Sequence, residues 1–166
     1  MSIRAFYDRW PQYNDRLSRQ IASLTPEQLA FRPESGHWPI WAIVGHVAGT
    51  RVYWLCHVLR ERGMEKTPFG DPELGWEDDL TTPRDADELV DALGSTFAIV
   101  EAALDGWTPE MLGAEFRRDF GDEHQVHTRA SILQRLLTHE AYHDGEISLI
   151  LGLHGIEAID LWHQLR

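Results

Sequence analysis

Apolar residues recur along much of this chain at intervals of three and four, the spacing of helices that bury one face. Ile3, Phe6, Trp10, Tyr13, Leu17, Ile21 and Leu24 follow it, which predicts a first helix over residues 3–24. Pro11 lies inside that run and either kinks the helix or marks a late start. Thr25-Pro26-Glu27-Gln28 then has the form of a capped helix start, with threonine at the cap, proline in the first turn and a glutamine three residues on. Residues 31–37 (FRPESGH) are a loop by their proline and glycine.

A second long helix is expected over residues 39–62, closed by Gly63. A loop rich in Pro, Gly and Asp follows over residues 64–83 and contains Trp76; loops of this length are often functional. The third helix is expected over residues 85–104, with Asp85 and Asp87 near its positive end. Thr108-Pro109-Glu110-Met111 echoes the earlier capped turn, and the match between LTPEQL and WTPEML leaves open a division into two helix-hairpin halves. Residues 113–127 are polar and irregular, with no firm strand alternation and at most a short hairpin. The fourth helix is expected over residues 128–152, and a short helical segment over residues 158–165. The pattern describes one all-α domain over residues 1–166, a four-helix bundle.

Three histidines interrupt this pattern where core is expected. His139 and His143 stand four residues apart, so both rings leave one helix face a turn apart. They fall in the stripe Ile132, Leu136, His139, His143, Glu146, Ile150, which is expected to face inward. Unpartnered buried polar groups cost about 1–3 kcal/mol each, and a metal ion satisfies two imidazoles at once. His46 on the second helix, between Gly45 and Gly49, is the natural third ligand. Glycine is costly inside a helix, so its presence at both positions suggests close approach of a neighbouring helix or a ligand. Three protein ligands leave a position open for water or substrate. The competing explanation is a set of hydrogen-bonded core histidines.

His139-Glu140-Ala141-Tyr142-His143 also matches the H-E-x-x-H pattern of zinc proteases. Leu149 stands where an extended form of that motif needs a third ligand, which speaks against a protease. Glu140 is then either a base in another hydrolysis or a solvent-facing residue. A di-iron bundle needs two Glu-x-x-His motifs on separate helices; Glu140–His143 supplies one, and Glu34–His37 falls in a loop. Trp41 and Tyr53 are placed by helical phase to line the cavity, with Tyr53 and Glu146 as candidate catalytic residues.

Charge narrows the partners. The chain carries 27 acidic and 15 basic residues, a formal charge of −12. That balance disfavours nucleic acid and anionic membrane as partners, since both require a basic face. Its 43% apolar content is that of a globular domain, and no apolar stretch is long enough for a membrane span. The lone cysteine, Cys56, allows no intrachain disulfide and fits a reducing compartment, so a cytoplasmic protein is expected.

The LTPEQL–FRP–GHWPIWAIVGHVAG run around His46 and the HEAYHDGEISLILGLHGI run around His139 and His143 resemble the DinB/YfiT-like superfamily over nearly the whole chain. The resemblance implies an up-down-down-up bundle with a long crossover between helices 2 and 3. It implies a divalent ion, zinc or nickel, on His46, His139 and His143, and often a homodimer. Some members use low-molecular-weight thiols in transferase or isomerase reactions, so the expected function is a metal-dependent thiol S-transferase or a hydrolase acting on a small-molecule substrate. The alternative is a non-catalytic, metal-stabilised bundle that binds a ligand or protein partner. Relatives often carry glutamine three residues after the last histidine; here it is Glu146, either a fourth ligand or a group that orients one.

Overall fold

The first helix starts late, at Trp10. In the computed structural model, which describes residues 1–70, 76 and 78–161, α1 runs Trp10–Ala22 with Pro11 in its first turn. Proline is pre-set for that position, where its missing N–H has no helical partner to lose. The apolar residues before it instead make a single 3-10 turn, Arg4–Phe6. Buried Ile3 ties that turn down through its N–H to the Trp107 carbonyl, 3.0 Å.

The short α2, Pro26–Leu29, opens with the expected reciprocal cap between Thr25 and Gln28. Its echo at Thr108 is only a 3-10 turn, Pro109–Met111, without a side-chain cap bond. The long helices α4, Ala86–Gly106, and α5, Arg129–Leu153, each start on a capping box, Asp85 with Glu88 and Thr128 with Ser131. α3 runs Ile40–Val52. Here the expected helix over residues 39–62 is corrected: its hydrogen bonding widens to a π-helical segment over Tyr53–Val58. Leu59 N–H reaches back to Trp54 O at 3.1 Å, and Arg60 takes a left-handed φ of 63°, so the chain turns off before Gly63. A π-segment carries an extra residue per turn and re-aims the side chains around it.

The all-α expectation is also corrected. The stretch expected to be irregular forms an antiparallel hairpin, β1 Glu115–Phe120 and β2 Glu123–Thr128, with Glu115 opposite Thr128 and Gly121 in the left-handed region at the turn. Neither strand has a fully buried face, which is why no alternation marks them. The chain is nonetheless mostly helical, with α1, α3, α4 and α5 around one core. The part of residues 158–165 that is described, up to residue 161, is not helical; the remainder of that expected segment lies outside the described residues. No helix is long and apolar enough to cross a membrane among the described residues.

α3 packs against both α4 and α5, and α1 against α4. Every residue of α3 is buried except His46, so this central helix exposes one side chain, and that side chain is an imidazole. The phase of α5 differs from the expected stripe. Its buried residues are Ile132, Leu133, Leu136, Glu140, Asp144, Ile147, Ile150 and Leu151. His139, His143 and Glu146 lie half-buried on the shoulder of that stripe, beside the core rather than in it.

Candidate metal centre

Two helices deliver the three histidines to one point. His46 comes from the middle of α3, and His139 and His143 from successive turns of α5. One ligand-capable atom from each lies within 4.8 Å of the other two. His46 Nε2 and His139 Nε2 are 2.9 Å apart, and the three ring centroids are 4.5–5.2 Å apart. Zinc–nitrogen bonds of about 2.0–2.1 Å in a tetrahedron put ligand nitrogens about 3.3 Å apart, so small side-chain rotations bring the set to an ion.

Hydrogen bonds aim two of the rings. His46 Nδ1 lies 2.9 Å from Asp78 Oδ1, and His143 Nδ1 lies 2.8 Å from Glu146 Oε2. A carboxylate only accepts, so each ring carries its proton on Nδ1 and presents the Nε2 lone pair. Carboxylate–histidine pairs of this kind orient metal ligands.

His139 has no such partner. Burial, with the adjoining imidazoles His143 and His46, lowers its pKa to about 4, so it is neutral at pH 7. Burial also lowers His143, against the opposing hydrogen bond from Glu146. The buried Nδ1 of His139 has no hydrogen-bond partner among the described residues. If His139 carries its proton on Nε2 it can donate to His46, but its Nδ1 lone pair is then stranded. If the proton sits on Nδ1, that donor is stranded and two Nε2 lone pairs face each other at 2.9 Å. A cation shared by the Nε2 atoms removes that clash, so the donor set fits a divalent metal ion.

A family model described as the DinB superfamily matches residues 12–147, from α1 to the turn of α5 just past Glu146. The chain belongs to the DinB superfamily. A crystal structure of a DinB-like protein from Bacillus cereus ATCC 10987 superposes with a TM-score of 0.73 at 19% identity, covering 97% of this chain and 98% of that one. At that identity the likeness speaks for the fold. Among curated proteins, none matches the chain significantly.

Other residues of this DinB superfamily chain fall differently from the sequence expectation. Glu140 neither faces solvent nor joins the histidines. It is buried, its Oε1 accepting from Arg51 Nε at 2.7 Å and its Oε2 from Trp10 Nε1 at 2.7 Å. The H-E-x-x-H resemblance is therefore formal, since its glutamate points to the core. Asp144, next to it on α5, is pushed up to about 7 by burial and then by the Glu140 charge. Trp41 is buried in the core. Tyr53 is not brought to the histidines: its polar and ring partners are Arg118, Trp54 and His57, and its hydroxyl accepts from Arg118. Glu34 and His37 pair with each other in an exposed loop, away from the cluster.

Asp78 is the site residue that sequence reasoning missed. Its loop stands out by length, but no periodicity ties a loop carboxylate to a helix residue 32 positions earlier. Gly45 belongs to the same loop contact. A Cβ there would lie 3.0 Å from the Trp76 ring, so the glycine admits the loop that carries Asp78.

Beside the histidines an open cleft of about 440 Å³ runs along α5, lined by Ser131, Arg135, Thr138, His139, Tyr142 and by His127 of β2. The histidine cluster therefore has room for a small molecule at its side.

Proposed function

We propose that this chain is a metal-dependent enzyme with one divalent ion, zinc or nickel, on His46, His139 and His143, acting as a thiol S-transferase or hydrolase on a small molecule. The observation that supports it most is the pair of carboxylate-held rings, which leaves Nε2 lone pairs convergent beside an open cleft. A bundle that used the ion for stability alone would need the convergence but not the cleft.

A bound ion of this kind lowers the pKa of a coordinated thiol or water and polarises a carbonyl or leaving group. The chain's own residues supply the rest. Asp78 and Glu146 hold the Nδ1 protons of His46 and His143 and so keep both rings in the ligating tautomer. Glu146, half-buried and beside the cluster, is also the candidate proton acceptor. Tyr53, whose hydroxyl is engaged by Arg118, is better suited to positioning that arginine than to acid–base work at the histidines. The up-down-down-up order, a single domain, a homodimer and a cytoplasmic location are carried as part of this proposal. The exposed apolar side chains Tyr142, Leu149 and Leu153 on α5 are a surface that a second copy would cover.

The test is metal content by elemental mass spectrometry on untagged wild type and on His139→Ala. About one equivalent per chain, lost in the variant while the helical signal persists, supports the proposal. No metal in wild type after incubation with zinc or nickel removes it, leaving a bundle with half-buried histidines.

A further inference from the structure

In a chain of net charge −12, two arginines sit on one indole with no carboxylate in ion-pair range among the described residues. Arg118 of β1 and Arg135 of α5 place their guanidinium carbons 4.8 and 4.7 Å from the Trp54 ring centre. Neither forms a salt bridge among the described residues. Two of the hairpin's carboxylates have other partners, Asp119 Oδ1 with His124 at 2.6 Å and Glu123 Oε2 accepting from Gln125 Nε2 at 2.9 Å; Asp122 and Glu123 line the cleft beside the arginines without forming an ion pair to either.

Arg118 is held in place. Its Nε donates to Gln125 Oε1 at 3.0 Å, its Nη1 donates to Tyr53, and its guanidinium also covers the Phe120 ring at 4.8 Å. Trp54 and Tyr53 both belong to the π-segment after α3. The widened turn thus presents the indole to both arginines and the phenol to Arg118. The imidazole of His127 also stands against the indole, edge-on, with ring centres 4.8 Å apart. Its pKa is lowered by burial first and by Arg135 and Arg118 next.

Two like charges held on one indole and lining one cleft repel, and each guanidinium keeps unused N–H donors. The group that answers both is an oxyanion, which guanidinium binds through paired hydrogen bonds. Arg135 also lines the cleft that reaches His139. A second cleft of about 400 Å³ on the other side of Arg135 contains Trp54 and Arg118. The arginine pair and the histidines therefore lie along one path.

We propose that Trp54, Arg118 and Arg135 form an oxyanion-receiving subsite next to the histidine centre, so that the substrate is a small molecule carrying a carboxylate, phosphate or sulfonate at the end away from the reacting group. This names the substrate class of the centre proposed above and rests on that reading for the word substrate; the subsite itself binds without the metal.

The test is an NMR titration at constant ionic strength, following the Arg Nε–H and Trp54 indole N–H signals. It is run on wild type and on His139→Ala, with sulfate, phosphate and acetate as probes. Saturable shifts are expected in both proteins, and the preferred probe separates a tetrahedral oxyanion from a carboxylate. Affinity falls at least tenfold in Arg118→Gln/Arg135→Gln. It falls similarly in Thr138→Glu, which keeps both arginines and adds a carboxylate on the exposed cleft wall one turn from Arg135. Shifts that stay linear with every probe, or that are unchanged in the folded Thr138→Glu protein, overturn the subsite. Loss of binding in His139→Ala alone assigns the anion to the histidines and also overturns it. Wild type that takes up no zinc or nickel yet still binds the probe removes the enzyme reading and leaves the subsite standing.

Discussion

Replacing Glu140 by alanine separates a structural glutamate from a catalytic one. Arg51 is fully buried and the Glu140 side chain is 8% exposed. Arg51 Nε meets Glu140 Oε1 at 2.7 Å, and Arg51 Nη1 meets the Leu93 carbonyl at 3.0 Å. Removing the carboxylate leaves a buried guanidinium with a carbonyl and the Thr96 hydroxyl as its close polar partners. Breaking a buried pair in this way costs about 3–5 kcal/mol, chiefly because the remaining charge loses its partner; buried Asp144, which the Glu140 charge helps keep protonated, can ionise and offset part of that loss. The buried Trp10 N–H is stranded at the same time, which adds about 1–3 kcal/mol for an unmet donor and moves the expectation to the top of that range. Domains of this size are stable by about 5–15 kcal/mol, so a loss of about 5 kcal/mol removes a third or more of the stability.

The assay is urea unfolding of metal-free protein followed by helical circular dichroism, compared for wild type, Glu140→Ala and the double variant Arg51→Met/Glu140→Leu. The double variant removes both charges and refills the space, so it is expected to be more stable than Glu140→Ala by at least about 2 kcal/mol. A loss below about 0.5 kcal/mol in Glu140→Ala, the usual range for a surface substitution, would refute the burial argument. It would return Glu140 to the role that the H-E-x-x-H spacing suggests.

Two further perturbations address the histidines and the cysteine. Asp78→Asn and Glu146→Gln each remove a proton-holding carboxylate without removing a ligand; each is expected to weaken metal binding about 10–100-fold in competition with a chromogenic chelator, and wild-type affinity in both would show that the carboxylates are bystanders. The buried Cys56 thiol is pushed up to about 11, first by burial. A raised thiol pKa keeps the protonated, unreactive form through neutral pH, so iodoacetamide labelling of native protein at pH 8 is expected to be about a hundredfold slower than after unfolding, and to speed up only as pH approaches 11. Equal rates in native and unfolded protein, read by intact mass, would mean the thiol is accessible and ionised.

What was legible in the sequence was whatever a helix writes into its own period. His139 and His143 share a face because four residues make about one turn, and His46 stood out because it interrupts an apolar run. The phase of α5 was misjudged by about one residue for an equally physical reason. Glu140 and Asp144 look like an outer face until Arg51, 89 positions away, neutralises one of them in the core. A long-range ion pair leaves no periodic trace. The hairpin left none either, since its residues are half-exposed on both faces. The π-segment is a change in hydrogen-bond register, which the apolar pattern over Val52, Trp54 and Leu55 does not encode. Asp78 reaches His46 from a loop, where position depends on packing around Gly45 and Trp76.

The same two helices that carry the three histidines also carry the buried ion pair. His46 and Arg51 lie on α3, five residues apart; His139 and Glu140 are neighbours on α5. The two cross-links, histidine to histidine and arginine to glutamate, fix both the spacing of α3 and α5 and the rotation of each about its axis. An apolar core resists separation of helices better than it resists a small rotation, because apolar contacts are not directional. The Arg51–Glu140 pair is directional, and rotation of α5 by a few degrees would carry His139 and His143 off a common point with His46. The pair therefore acts as the registry device of the metal centre. The double variant Arg51→Met/Glu140→Leu tests this: it is expected to keep its helical fold yet bind zinc at least tenfold more weakly than wild type in chelator competition. Wild-type affinity in that folded protein would show that packing alone sets the register.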